Sequence, residues 1–457
     1  MTKTFDALRT AGDRVVLRDL DGRDRTGNEL LESVSQIAGT LVDTGLKEAV
    51  IGCWYTNSIA AVEAALAIEW IGGTRVPVDP NSTALEAQST WAAARVQGYI
   101  TDISHAGQVD GTAIVHDDRQ PAHGRFVPPV ENVPDSRTHL LYPRAVQSGE
   151  LLGVPISYGN WETTMSVNES LYRTGGYGPG FGDDECFLTV QQIMHGTGLV
   201  GTFPFIRMGL PQIVVPGFDV GVVLDLFASG EVTSTMMVTA MVERIADRLQ
   251  TDPRSTGRLR RLLYGGAPMP REKLVSAAKK LPGTLVQVYG RLEGGWPLAI
   301  LDQHAHDAIA VGDPRVGSCG RPIAESDFML RPSGEIAVRS GMVVQQFSDS
   351  DQWCGLGDIA SADDDGFIYI HGRLDRMINT GYHVYPAEIE EAIRAVPGVI
   401  DVEVKGIPDP NRGERVVAVV RARPEQQTGL VDAVDRHLRT VLAAYKVPRE
   451  YMLIDAT

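Results

Sequence analysis

Between residues 28 and 101 the chain switches three times from apolar residues at helical spacing to a short apolar run. That alternation restricts the fold more than any other feature. NELLESVSQIAGTLVDTG (28–45) leads into AVIGCWY, SIAAVEAALAIEWIGG (58–73) into TRVPVDP, and a helix near 84–95 into VQGYITD. Strands separated by helices need crossover connections, so the pattern predicts a mainly parallel sheet covered by helices. Strand-like runs continue through LVGTFPFIRMG, PQIVVPG, GVVLDLFASG, STMMVT and LRRLLYGGAPM, punctuated by Gly and Pro turns. Ligands of open α/β sheets gather beyond the carboxyl ends of strands, which puts GGAPM and YGRLEGG in the expected crevice.

Near 317–372 the texture shortens to GSCGRP, GEIAVRS, WCGLGDIA and DDDGFIYIHGRLDR, read as strands joined by tight turns. From about 376 a helix (PAEIEEAIRAV), two strands (VIDVEVKGI, ERVVAVVRARP) and a long helix (LVDAVDRHLRTVLAA) form a separate unit. The expected architecture is α/β. A large N-terminal domain (1–374) combines helix-covered, mainly parallel sheets with a short-stranded β subdomain, and a small, mobile α+β C-terminal domain (376–457) follows. There is no fixed-period repeat and no low-complexity tract.

The formal charge of −16 argues against nucleic acid and anionic membrane surfaces as partners. It does not exclude a small anion such as ATP, which a few local amides and cations can hold. Cys53, Cys186, Cys319 and Cys354 lack CxxC spacing, so reduced thiols are expected rather than disulfides or zinc. The N-terminal stretch has no apolar signal core, and the most apolar helix carries Glu63 and Glu69, so the expectation is a soluble cytoplasmic protein. His304 and His306 in DQHAHDA lack further ligands and read as a polar surface loop, and no GxSxG elbow is present.

Four patterns carry chemistry: MHGTGLVGTFPFIRMG (Met194 to Gly209); YGGAPM (Tyr264 to Met269) with YGRLEGG (Tyr289 to Gly295); WCGLGDIASADDDGFIYIHGRLDRMI (Trp353 to Ile378); and NTGYHVYPAEIEEAI (Asn379 to Ile393). Taken bare, His195 is a capping or core-edge histidine, an isolated YGxxE is an ordinary turn, and Asp363 to Asp365 is a solvated hairpin tip. In this order along nearly the whole chain, the four resemble the signature of the adenylate-forming (AMP-binding) superfamily. That family includes acyl- and aryl-CoA synthetases, luciferase-like enzymes and peptide-synthetase adenylation domains.

The resemblance implies roles residue by residue. His195 lines the acyl pocket with Gly290. Gly265, Gly266, Ala267 and Tyr289 contact the nucleotide, Asp358 accepts from the ribose hydroxyls, and Arg373 adds a fork of donors. Glu293 serves Mg2+, although Leu292 stands where the family has threonine. Asp375 is the hinge, and Gly381 leaves room for the pantetheine chain of coenzyme A or a carrier protein, so His195, Glu293 and Gly381 are the catalytic candidates.

Two stretches depart from the family. Its phosphate loop, close to YTSGTTGxPKG, corresponds here to YPRAVQSGELLGVPISYGNW (Tyr142 to Trp161). Ser148 and Gly149 are retained, Arg144 offers a substitute cation, and Pro143 removes an N–H. The family's PRTxxGK lysine has no counterpart in AAYKVPREYMLIDAT, and Lys446 belongs to the preceding turn. Three readings stay open: an atypical acid:thiol ligase working through acyl-AMP; a same-fold enzyme that transfers or hydrolyses a preformed acyl-adenylate or thioester; and a non-catalytic AMP, acyl-thioester or carrier-protein binder. The expected partners are a small carboxylic acid, ATP/AMP and a thiol.

Overall fold

The computed structural model describes residues 2–111, 113–119, 122–145, 151–374, 378–384, 386–410, 413–423 and 427–455. The three predicted helix–strand pairs form as Gly27–Asp43 with Val50–Trp54, Ile59–Trp70 with Thr74–Val78, and Ala84–Ala93 with Gly98–Thr101. Thr26 and Thr83 open their helices with capping boxes to Glu29 and Glu86, and Ser58 caps the middle helix. The strands enter a six-stranded sheet in which every pair is parallel except the terminal hairpin Thr138–Ala145 with Leu151–Ser157. A second, nine-stranded sheet is parallel through its centre, where Arg261–Gly265 lies between Ser234–Val238 and Leu285–Arg291.

Helices fill the space between the two sheets. Ile59–Trp70 is buried on every side and therefore shows no polar face. Its acids meet polar partners inside the core. Glu63 holds Arg25 at 3.0 Å and His116 at 2.7 Å, and Glu69 lies 3.4 Å from His139. No helix among the described residues is long and apolar enough to cross a membrane. Alternate residues of one strand feed opposite cores: Leu262 and Tyr264 pack on one face of the nine-stranded sheet, and Leu263 on the other.

Two expected strands are helices. LVGTFPFIRMG lies in Gly196–Arg207, where Gly198 to Arg207 are buried, and GVVLDLFASG lies in Val220–Ala228, started by the Asp219 side chain on the Val222 N–H. A short helix with little polar face loses the period that separates helix from strand. DQHAHDA is also a helix (Gln303–Ala310), not a surface loop, and only His304 of the two histidines is exposed. His306 is a core residue whose Nδ1 donates to Asp302 O and whose Nε2 accepts from Tyr264.

The short-stranded region forms an antiparallel four-stranded sheet over 327–373, while GSCGRP contributes only Arg321–Pro322 to the edge of the nine-stranded sheet. Asp363 caps its own turn through the N–H groups of Asp365 and Phe367, and no cluster of metal-ligating side chains occurs among the described residues. Residues 378–455 hold their own core around Val404, Ala418 and Val434. Glu450–Asp455 adds a strand parallel to Gly413–Ala422, which the sequence reading had not assigned. The fold is thus a large N-terminal α/β domain followed by a small α+β domain.

Candidate active site

The carboxyl ends of Arg261–Gly265 and Leu285–Arg291 open onto a cavity of about 1790 Å³. Its lining contains His195, Gly265, Gly266, Ala267, Tyr289, Gly290, Glu293, Asp358, Arg373 and Gly381, so residues spread over almost two hundred positions converge on one space. Ser148, Gly149 and the expected hinge Asp375 lie outside the described residues, and of Arg144 only the backbone is described, paired opposite Leu152.

The nucleotide side is built on close backbone packing. A Cβ at Gly265 would sit 2.3 Å from Val288 O, and Gly266 has φ +88°, so this strand end and turn both demand glycine. Thr239 fixes the following residue by donating to Ala267 O at 2.7 Å. From the neighbouring β subdomain Asp358, 5% exposed, faces this loop, and it pairs in register with Arg373. Tyr289 donates to Asp358 Oδ2 at 2.6 Å, and Arg373 Nη1 lies 3.5 Å from Oδ1. Burial and the adjacent Asp358 carboxylate push the Tyr289 phenol well above its ordinary range, so it stays a donor.

His195 is the N-cap residue of Gly196–Arg207, but its ring makes no cap hydrogen bond. It spans the cavity edge instead. Nε2 lies 2.5 Å from Asp79 Oδ2, and Nδ1 is 2.9 Å from the Tyr142 hydroxyl. In the neutral ring Nε2–H donates to Asp79 and Nδ1 accepts from Tyr142. Burial by itself would raise Asp79, but the His195 hydrogen bond and the Asn81 N–H outweigh it and hold the carboxyl below its usual range.

Glu293 is buried, with Arg291 Nε 3.7 Å from its carboxylate. Magnesium on a nucleotide draws most ligands from phosphates and water and needs only one or two carboxylates. A single buried carboxylate at the cavity wall fits that demand. Burial pushes Cys319, another lining residue, up to about 12, which keeps it a neutral thiol.

The small domain closes the space. Asn379 Nδ2 donates to Gly266 O at 2.6 Å, and Asn379 Oδ1 accepts from the Gly381 N–H at 3.2 Å. Gly381 has φ +87°, and a Cβ there would project into open space. Next to it Tyr382 meets the His195 ring edge-on at 5.7 Å and stacks on Tyr445 at 4.3 Å. Lys446 bridges Glu86 of the large domain (3.1 Å) and Glu388 of the small one (2.9 Å), while Glu86 also accepts from the Ala443 N–H at 2.7 Å.

The sequence reading missed Asp79, Trp296, Asn379 and Glu86 as parts of this site. Asp79 follows the strand Thr74–Val78 and lies 116 positions from His195, and nothing local marks it. Trp296 could have been noticed as a bulky aromatic just beyond YGRLEGG.

The family model for AMP-binding enzymes matches residues 5–151 and 148–339, and that for the AMP-binding enzyme C-terminal domain matches 388–457. The chain belongs to the AMP-binding enzyme family, the adenylate-forming superfamily. A curated relative of this AMP-binding enzyme, a 2-succinylbenzoate–CoA ligase of Geobacillus sp. (strain WCH70), is 26% identical over 97% of this chain and 91% of its own length. Among solved structures, o-succinylbenzoate CoA synthetase from Bacillus subtilis superposes with TM-score 0.85 at 20% identity, covering 99% of this chain and 95% of the other. Amide bond synthetase McbA from Marinactinospora thermotolerans gives TM-score 0.83 at 21% identity, with the same two coverages. These two likenesses establish the fold.

Proposed function

We propose that this AMP-binding enzyme is an acid:thiol ligase that activates a small carboxylic acid as acyl-AMP and passes the acyl group to the thiol of coenzyme A or a carrier-bound phosphopantetheine. One observation carries the reading: Asn379, two residues from Gly381, is hydrogen-bonded to Gly266 O, so the thiol-side loop of the small domain and the nucleotide loop share one cavity. The ligase activity of the curated relative supports the same class of reaction.

In this reading Asp358 accepts from the ribose hydroxyls while Tyr289 and Arg373 hold it in place. The acid lies beside His195, whose ring is fixed by Asp79 and Tyr142, with its carboxylate toward the α-phosphate. Mg2+, held by Glu293, would neutralise charge on the departing pyrophosphate. The thiol approaches past Gly381 and displaces AMP from the acyl carbonyl. The small domain, 376–457, turns about Asp375 between the two half-reactions.

A second reading has its own support. The described part of the phosphate hairpin contributes Leu140, Tyr142, Pro143, Val154 and Ile156 to the cavity wall and no serine or threonine. That wall favours a same-fold enzyme that receives a preformed acyl-adenylate and transfers it. Acid-dependent exchange of labelled pyrophosphate into ATP, measured over a panel of acids beside thiol-dependent AMP release, decides between them. Exchange with a preferred acid supports the ligase. Turnover of synthetic acyl-AMP without any exchange supports the second reading. Replacing Asp358 with Ala removes an acceptor for two charge-assisted hydrogen bonds, each worth about 1.5–3 kcal/mol, so AMP affinity should fall at least a hundredfold. Undiminished AMP binding would sink the ribose assignment.

A further inference from the structure

The end of the cavity beyond His195 is walled by three elements that meet at one tryptophan. Helix Tyr158–Thr174 supplies Trp161 and Thr164, helix Gly196–Arg207 supplies Leu199 and Val200, and strand Gly295–Leu301 supplies Trp296. They are locked together. Asn168 Nδ2 donates to Trp296 O at 3.0 Å, and the rings of Trp161 and Phe203 meet edge-on at 5.4 Å. A Cβ on Gly290 would come within 2.6 Å of the Trp296 ring, and one on Gly265 within 3.0 Å. Both glycines thus let the indole lie flat beneath the loops assigned to the acid and the nucleotide. Leu292 closes the mouth beside Gly196, where a Cβ would stand 3.2 Å from its methyl, and Met342 packs against Gly295 in the same way.

Among the described residues, these three walls bring no cation into the chamber. Arg75, the nearest fully buried one, stacks behind the wall over Trp161 (5.7 Å) and Phe203 (5.1 Å), does not line the cavity, and is balanced by Glu69. Arg291 faces Glu293, Arg373 faces Asp358, and Lys446 is held between Glu86 and Glu388. His195 at the rim is committed to Asp79. The polar side-chain atoms these three walls bring are the Thr164 and Thr197 hydroxyls and the indole N–H groups, all neutral. A second carboxylate on the substrate would be desolvated without a counter-ion.

Resting on the ligase reading, we propose that the acid is an uncharged-chain monocarboxylic acid, aromatic or compact and apolar, laid against Trp296, and that acids with a second carboxylate are excluded. The curated relative is named for a dicarboxylic acid, 2-succinylbenzoate, so the proposal separates this enzyme from it.

The test uses non-hydrolysable acyl-adenylate analogues, acyl sulfamoyl-adenosines, titrated into the full-length protein by calorimetry. Benzoyl, 4-nitrobenzoyl and 4-carboxybenzoyl forms separate charge from size, because nitro and carboxylate are nearly the same shape. The nitro form should bind within about threefold of benzoyl and the carboxylate form at least thirtyfold more weakly. Equal or tighter binding of the carboxylate form overturns the proposal. Leu199→Arg should narrow the gap at least tenfold by supplying a counter-ion, and Trp296→Ala should favour a biphenyl acyl group over benzoyl. An unchanged preference in both variants also overturns it. Analogue binding with the predicted order but no pyrophosphate exchange sinks the ligase reading and leaves the pocket assignment standing. Exchange with a reversed acid preference does the opposite.

Discussion

Replacing Lys446 with Met keeps the length of the side chain and removes its charge from between Glu86 and Glu388. The Lys446 side chain is 15% exposed, and those of its partners are 9% and 25% exposed, so this is a largely buried bridge and not a surface pair. Burial opposes the charge, but the Glu388 and Glu86 carboxylates outweigh it and raise Lys446 above its ordinary range. At an effective dielectric near 20, two charges 3 Å apart attract by about 5 kcal/mol, and breaking one side of a buried pair costs roughly 3–5 kcal/mol. The Ala443 N–H still donates to Glu86 in the variant, which retains part of the contact. Taking about 3 kcal/mol as the net loss, docking of the small domain weakens on the order of a hundredfold. The step that needs the docked Asn379–Tyr382 loop, transfer to thiol, should slow by a similar factor, while acid-dependent pyrophosphate exchange changes less than threefold. A fluorophore pair placed across the two domains reports docking directly, and Glu86→Gln should be far less damaging in the Lys446→Met background than alone. Equal losses in both half-reactions, or fully additive variants, would refute the bridge as a domain latch.

Three further outcomes can be checked. Gly381→Ala places a side chain at φ +87°, a strain of roughly 1–2 kcal/mol, and puts a methyl into the open channel, so thiol transfer should drop more than tenfold with exchange retained. Burial holds His306 and His139 neutral down to about 4, whereas the unfolded chain takes up protons near 6.5. The associated stability is therefore complete above pH 6.5 and is lost as the pH falls toward 4, by about 3 kcal/mol for each ring. Urea unfolding at stepped pH should show this slope, with proton uptake reduced by about one in His306→Gln; an unchanged slope would contradict the burial argument. Glu293→Gln should raise the magnesium concentration needed for half-maximal exchange at least tenfold while leaving AMP affinity in the absence of metal within threefold.

The parallel sheets, the short-stranded subdomain and the small α+β domain were legible because period and turn residues are local properties of the chain. The helix–strand pairs of residues 27–101 follow the pattern element by element. Legibility failed where a helix shows little polar face or where distant neighbours enclose a polar ring. Gly196–Arg207 and Val220–Ala228 read as strands because a short helix with little polar face presents a continuous apolar run, and His306 read as surface although its ring is enclosed.

The glycine turns, Asp358 in GDIA and Gly381 in NTGY are picked out in the sequence by their likeness to the ordered motifs of the AMP-binding family. Their meeting in one cavity with Asp79, Trp296 and Glu86 was decided by tertiary structure. The ring of His195 is oriented by Asp79 and Tyr142 from separate elements, and Arg291, Arg373 and Lys446 are each held by a carboxylate. Local order follows from neighbouring residues, whereas desolvation and charge pairing depend on everything packed around a group.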